Sequence, residues 1–166
     1  YQQDYPYESS LTKSGLKHFN EFAISVKKNF KLSSNDLVID IGSNVGVLLG
    51  AFKKKNIRVL GVDPAKNICI IANKKKIKTL NSFFNTEVCN KILKHHGTAR
   101  VITGTNVFAH VDNLKKLFKN LKKILDKKRG VFIIEVPHFL NLLHDLEYDT
   151  IYHEHLSYIT IKPLIK

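Results

Sequence analysis

Short apolar runs alternate along the chain with amphipathic segments, and brief polar or glycine-containing connections separate them. Apolar residues at three- and four-residue spacing predict helices, which cover residues 14–30, a segment from a glycine-rich turn through Phe52, residues 65–75, 86–95 and 112–125. Continuous apolar runs predict strands, which cover residues 37–39, 57–62, 77–80, 99–104 and 131–136. This alternation predicts an α/β fold, a parallel sheet with helices on both faces.

The ends of these elements carry their own signals. Asp112 is expected to cap the helix predicted at 112–125. Pro64 is expected in the first turn of the helix that continues over residues 65–75. A short helix is predicted beyond Pro137 through Leu146, and an acidic and aromatic segment at 147–160 is a candidate active-site loop. We expect one domain over residues 1–166, with 1–13 as a leading segment and a fold truncated at its carboxyl end.

Composition narrows the class of protein. The chain has 166 residues, 43% of them hydrophobic, and no apolar run long enough for a membrane span. Its formal charge of +13 comes almost entirely from lysine, with arginine only at Arg58, Arg100 and Arg129. Because nucleic-acid recognition favours the arginine fork, no nucleic-acid partner is expected. We predict a cytoplasmic protein that acts on a small and acidic substrate, while the oligomeric state stays open.

The segment VIDIGSNVG at 38–46 places a glycine turn between a strand and a helix, where nucleotide cofactors bind in parallel sheets. Asn44 stands where the dinucleotide fingerprint needs its second glycine, so a pyrophosphate is disfavoured. Asp40 is placed to hold the ammonium of a methionine moiety. Asp63, at the end of the next strand, can accept hydrogen bonds from both ribose hydroxyls. The pair therefore favours an adenosyl amino acid over a dinucleotide.

Several segments resemble the S-adenosylmethionine-dependent C-methyltransferases of nucleotide-linked keto-sugars. They are DIGSN at 40–44, GVDPA at 61–65, NVFAH at 106–110, EVP at 135–137 and, most specifically, YDTIYHEHLSY at 148–158. The resemblance implies a Rossmann-like methyltransferase fold with S-adenosylmethionine as cofactor. It implies these cofactor-binding residues: Asp40, Gly42, Ser43, Asn44, Gly46, Asp63, Pro64, Phe83 and Asn106.

The same resemblance implies methyl transfer to an enolisable carbon next to the keto group of a nucleotide-linked sugar, a step in sugar biosynthesis. Its implied catalytic residues are His155, Tyr152, Glu154 and His110, with His155 favoured as base and Tyr152 as the main rival. Tyr5, Tyr7 and His153 are implied to bind substrate. The family also has a zinc-binding region before this segment and a further domain after it. The chain contains neither, so no metal is predicted.

Two alternatives remain beside this hypothesis. One is a methyltransferase that acts on another small molecule or on nucleic acid, which only the charge suggests. The other is a non-catalytic remnant that still binds S-adenosylmethionine, because Val45 and Thr105 replace an acidic residue and an asparagine that are frequent in the family.

Overall fold

Helices and strands alternate along the protein, whose computed structural model describes residues 12–151 and 155–164. The helices are α1 (Lys13–Asn29), α2 (Val47–Lys53), α3 (Lys66–Lys74), α4 (Thr86–His96), α5 (Leu114–Ile124), α6 (Phe139–His144) and α7 (Ile161–Leu164). The strands are β1 (Leu37–Ile41), β2 (Arg58–Asp63), β3 (Thr79–Asn81), β4 (Val101–Thr105) and β5 (Val131–Glu135). Short 3-10 helices cover Phe108–His110 and Tyr148–Thr150.

The five strands form one parallel sheet in the order β3-β2-β1-β4-β5. From β1 the chain builds outward through β2 and β3, and it then returns to place β4 and β5 on the other side of β1. Ligands of such sheets bind outside the carboxyl ends of the strands, at the point where the order reverses. That point lies here between β1 and β4. The predicted α/β fold is confirmed.

Alternate side chains of the strands pack into two apolar layers, one on each face of the sheet. Val38 packs with Ala23 and Phe52 on the face that α1 and α2 cover. Its neighbour Ile39 packs with Ile92 and residues of α5 on the opposite face. Fully burying one such side chain contributes about 1.5–3 kcal/mol. The two layers fix all five carboxyl ends at one edge of the sheet.

Two predicted helix starts are wrong by one or two residues. Asn113 caps α5, because its side-chain oxygen accepts a hydrogen bond from Lys116 N at 2.9 Å, whereas Asp112 lies one residue too early. Pro64 precedes α3 and does not enter its first turn. The Asp63 carboxylate accepts from Ala65 N at 2.9 Å and holds that residue extended, so the helix begins only at Lys66.

Two further boundaries differ for reasons of backbone conformation. Lys76 has a positive φ of 61° and Ile77 N donates back to Ala72 O at 3.0 Å, so Ile77 belongs to the turn after α3 and the third strand begins at Thr79. Leu146 has a φ of 55°, which is incompatible with a right-handed helix. The helix predicted through Leu146 accordingly ends at His144.

Candidate cofactor and active site

The glycine turn joins β1 to α2 through three residues with positive φ: Gly42 (65°), Asn44 (47°) and Gly46 (78°). Gly42 N donates to Val62 O at 2.8 Å, which ties the turn to β2. A Cβ on Gly42 would lie 2.5 Å from Val107 Cγ2, so no side chain fits at this position. The turn therefore presents bare backbone at the carboxyl edge of the sheet, where a ligand can approach closely.

Asp63 closes β2 and contacts the glycine turn directly. One carboxylate oxygen accepts from Asn44 N at 3.0 Å, and the other accepts from Ala65 N at 2.9 Å. Burial raises the pKa of Asp63, and these two N–H groups oppose the rise. Each carboxylate oxygen can accept a second hydrogen bond. Asp63 is thus oriented by the backbone and retains acceptor capacity for a pair of hydroxyl groups.

Asp40 lies inside β1 and is only 2% exposed. Burial raises its pKa to about 7, the charge of Asp63 adds to the rise, and a hydrogen bond from Thr103 opposes it. Thr103 Oγ1 on β4 donates to Asp40 Oδ1 at 2.7 Å, and no other described residue donates to this carboxyl. A buried carboxylate without a cation is costly. The residues present therefore fit a ligand that brings an ammonium group to Asp40 and a ribose to Asp63.

The other sequence-predicted cofactor residues lie around the same edge of the sheet. Ser43 is buried over Gly61, and its hydroxyl has no hydrogen-bond partner among the described residues. Pro64 follows Asp63 directly, and Phe83 lies just beyond β3 with 55% of its surface exposed. Asn106 follows β4 directly and lies in the left-handed region, with φ 56°, and its N–H donates to Glu135 O at 2.7 Å.

The structure brings together two of the predicted catalytic residues from distant parts of the sequence. His110 ends the first 3-10 helix, and its ring centroid lies 5.1 Å from that of His155. Tyr158 packs edge-on against His155 with 5.9 Å between centroids. Leu156 N donates to Ala109 O at 2.7 Å, and this bond holds the two segments together. A small cavity adjoins the pair and is lined by Ala109, Val136, Pro137, His155, Ser157, Tyr158 and Ile159.

Tyr152, His153 and Glu154, and likewise Tyr5 and Tyr7, lie outside the described residues. Their expected roles in catalysis and substrate binding therefore stay predictions.

Sequence reasoning missed three polar residues at this edge. Thr103 is a fully buried hydroxyl residue that follows Val101 and Ile102 in β4, and a hydroxyl within this buried run was its available signal. Glu135 ends β5, and its carboxylate accepts a hydrogen bond from His18 Nε2 of α1 at 2.8 Å. A carboxylate at a strand end is visible in the sequence, but a partner 117 residues away is not.

Among residues 12–151 and 155–164, no group of three or more histidine, cysteine, aspartate or glutamate side chains is arranged to hold a metal ion. No helix within these residues is both long and apolar enough to cross a membrane.

Comparison with known proteins gives consistent matches. A family model described as a methyltransferase domain matches residues 17–166. The C-methyltransferase NovU of Streptomyces niveus is 34% identical over 160 residues, which are 96% of this chain and 38% of NovU. The chain thus spans well under half the length of this curated relative.

Solved structures share the fold at low sequence identity. The plantazolicin methyltransferase BpumL, in complex with a pentazolic desmethylPZN analog and SAH, superposes with a TM-score of 0.68 at 16% identity. That match covers 93% of this chain and 62% of BpumL. A SAM-dependent methyltransferase from Archaeoglobus fulgidus gives a TM-score of 0.65 at 19% identity. This match covers 88% of the present chain and 65% of the Archaeoglobus chain. The observed sheet is therefore the Rossmann-like sheet of SAM-dependent methyltransferases.

Proposed function

The chain belongs to the S-adenosylmethionine-dependent methyltransferase domains, and on this premise we propose that it methylates carbon, at an enolisable position beside the keto group of a nucleotide-linked sugar. The observation that carries the proposal is the 34% identity with a C-methyltransferase over nearly the whole chain. The sugar class rests on the resemblance of residues 148–158 to the keto-sugar enzymes.

The cofactor, S-adenosylmethionine, supplies an electrophilic methyl group on a sulfonium. Asp40 binds the ammonium of its amino-acid end, and Thr103 orients that carboxylate through its 2.7 Å hydrogen bond. Asp63 accepts the two ribose hydroxyls while Asn44 N and Ala65 N hold it in place. The backbone of the glycine turn lies between these two carboxylates. Together these residues would hold the methyl donor at the carboxyl ends of β1 and β2.

Methylation of carbon needs a nucleophilic carbon, because an ordinary C–H group does not attack a methyl donor. A neighbouring ketone solves this, since loss of a proton gives an enolate. The protein must then supply a base for the proton and a donor for the enolate oxygen. His155 and His110, with rings 5.1 Å apart, offer these two functions at one place.

In the proposed reaction His155 removes the proton from the carbon, and His110 donates a hydrogen bond to the enolate oxygen. With the cofactor bound, its sulfonium would supply the methyl group to the enolate carbon and leave as a neutral thioether, while the proton would stay on His155 until solvent takes it. Tyr152 is the rival base, Glu154 orients the substrate, and Tyr5, Tyr7 and His153 contribute to its binding site. Alignment of carbon, methyl and sulfur accounts for much of the rate in such transfers.

Cofactor binding is tested by calorimetric titration of the protein with S-adenosylhomocysteine and, separately, with NADH. We expect micromolar binding of S-adenosylhomocysteine only. Asp63→Ala should abolish it, whereas Asp126→Ala, which changes a half-buried carboxylate in the turn before β5, should leave it unchanged. Binding of NADH in place of S-adenosylhomocysteine would overturn the assignment.

The reaction is tested with nucleoside-diphosphate-linked 4-keto-6-deoxyhexoses that carry dTDP, GDP or CDP, and with the methyl-labelled cofactor. Mass spectrometry should show one added methyl group, and NMR should place it on carbon. His155→Asn should lower turnover about 100-fold or more without loss of S-adenosylhomocysteine binding. Cofactor binding without methylation of any sugar would instead favour the non-catalytic alternative or another acceptor.

A further inference from the structure

The His18–Glu135 contact lies on the same face of the sheet as Asp40. Asp40 pairs in register with Thr103, and Thr103 pairs with Ile133. Paired residues of neighbouring strands share a face, and so do residues two apart on one strand. Glu135 therefore projects from the face that carries Asp40 and Thr103, two residues closer to the carboxyl edge. His18 reaches it from the first half of α1.

This pair and the His110–His155 pair flank the carboxyl end of β5 on opposite faces. Val136, the residue after Glu135, packs in the apolar layer of α4 and α5 and lines the cavity beside His155. Glu135 points the other way, toward α1, and its backbone O accepts from Asn106 N at the end of β4. The space over the ends of β4 and β5 is thus bordered by polar side chains on both faces.

The His18–Glu135 pair has hydrogen-bonding capacity that the described part of the chain does not use. The side chains of His18 and Glu135 are 53% and 36% exposed. Only Oε2 of the carboxylate and Nε2 of the imidazole take part in their mutual bond, and no other described residue bonds to Oε1 or Nδ1. A surface pair of this kind contributes only about 0–1 kcal/mol to stability. The partly exposed carboxylate of Glu135 lies at the edge of the sheet where ligands of this fold class bind.

We propose that Glu135 and His18 form an acceptor-binding pair in which Glu135 Oε1 accepts a hydrogen bond from a hydroxyl group of the nucleotide-linked sugar. His18 fixes the rotamer of the carboxylate and keeps it in place for the ligand. The inference rests on the proposed function, and it assigns acceptor recognition to a contact between α1 and β5. These residues determine acceptor affinity and take no part in proton removal.

The test measures binding of dTDP-glucose, which cannot form an enolate, to the protein saturated with S-adenosylhomocysteine. Calorimetry should show the dissociation constant rising about ten-fold for Glu135→Gln and for His18→Ala, the loss of one hydrogen bond to a charged group. His18→Gln should recover part of the affinity. Glu87→Gln, which removes a more exposed carboxylate from an ion pair with Lys91 on α4, should change nothing. The affinity for S-adenosylhomocysteine should stay the same in all four variants.

With a keto-sugar that the protein methylates, Glu135→Gln and His18→Ala should raise KM and leave kcat within about two-fold. Unchanged dissociation constants in both variants would overturn the inference, and so would failure of dTDP-glucose to bind the unmodified protein. A purely structural role would lower the melting temperature and the cofactor affinity together. If dTDP-glucose binds through the pair but no keto-sugar is methylated, the proposed reaction fails while this inference stands.

Discussion

Replacement of Asp40 by asparagine is expected to stabilise the ligand-free protein above neutral pH and to weaken its hold on the cofactor. The pKa of Asp40 is about 7 in the folded protein, against 3.8 for an ordinary aspartate. Between these values the folded state keeps a proton that the unfolded state has released. Stability therefore falls as pH rises through this window, by about 4 kcal/mol over its full width. Asparagine does not titrate, so the free energy of unfolding of the variant does not contain this fall with pH.

The assay is thermal unfolding of both proteins without ligand at about pH 5 and about pH 8. The Asp40 contribution changes by about 2–3 kcal/mol between these conditions, which corresponds to about 5–10 °C in a domain of this size. The melting temperature of Asp40→Asn relative to the unmodified protein should rise by that amount. Calorimetry with S-adenosylhomocysteine at about pH 8 should show an affinity about ten- to a hundred-fold lower, because a charged hydrogen bond is lost. Parallel pH profiles of the two proteins would refute the reasoning.

Two further variants isolate the cause. Thr103→Val removes the hydroxyl that donates to Asp40 and should raise the pKa of Asp40 further, so the loss of stability with pH extends to higher pH. Asp36→Asn is a matched variant for which we expect the opposite effect on stability at high pH. The pKa of Asp36 is lowered because Ser33 and Arg129 together outweigh its burial. Its charge therefore stabilises the fold above its unfolded pKa, and this variant should lose stability at about pH 8.

Other expected outcomes follow from local geometry. Gly42→Ala should lower stability by about 2 kcal/mol or more, from its positive φ and the contact with Val107, and should weaken S-adenosylhomocysteine binding. Gly50 lies in α2, and no atom lies within 4 Å of a Cβ added to it. Gly50→Ala should therefore stabilise the protein by about 0.5–1 kcal/mol. Chemical denaturation measures the free energy of unfolding of both variants and distinguishes these outcomes. Burial raises the pKa of Cys69 and of Cys89 to about 11, so iodoacetamide at about pH 8 should label neither until denaturant is added, and rapid labelling of the folded protein would contradict this.

The parts of the fold that sequence could predict are those fixed by local patterning. Five apolar runs became the five strands, and the glycine turn appeared between a strand and a helix because Gly42 and Gly46 supply positive φ there. Asp40 and Asp63 were identifiable because carboxylates near the ends of successive strands meet at one sheet edge. Local pattern also placed the helices, with boundaries wrong by one or two residues where capping decided them.

Contacts between distant segments could not be derived from local patterning, although the family resemblance implied that His110 and His155 share one active site. The packing of His110 beside His155 depends on a backbone hydrogen bond from Leu156 to Ala109, which no periodicity encodes. The contact between His18 and Glu135 depends on how α1 lies across β5. Both arise from tertiary packing, in which the identity of neighbours is set by the fold as a whole.

The central position of β1 has a consequence for folding while the protein is being synthesised on the ribosome. β2 and β3 emerge soon after β1, but the other edge of Leu37–Ile41 pairs only with β4, at Val101–Thr105. Since elongation adds about 5–20 residues per second, that apolar edge stays open for seconds and can pair with other nascent chains. Asp40 also lacks Thr103 during this interval. The polar surroundings of Asp40 are therefore completed only when β4 has paired with β1.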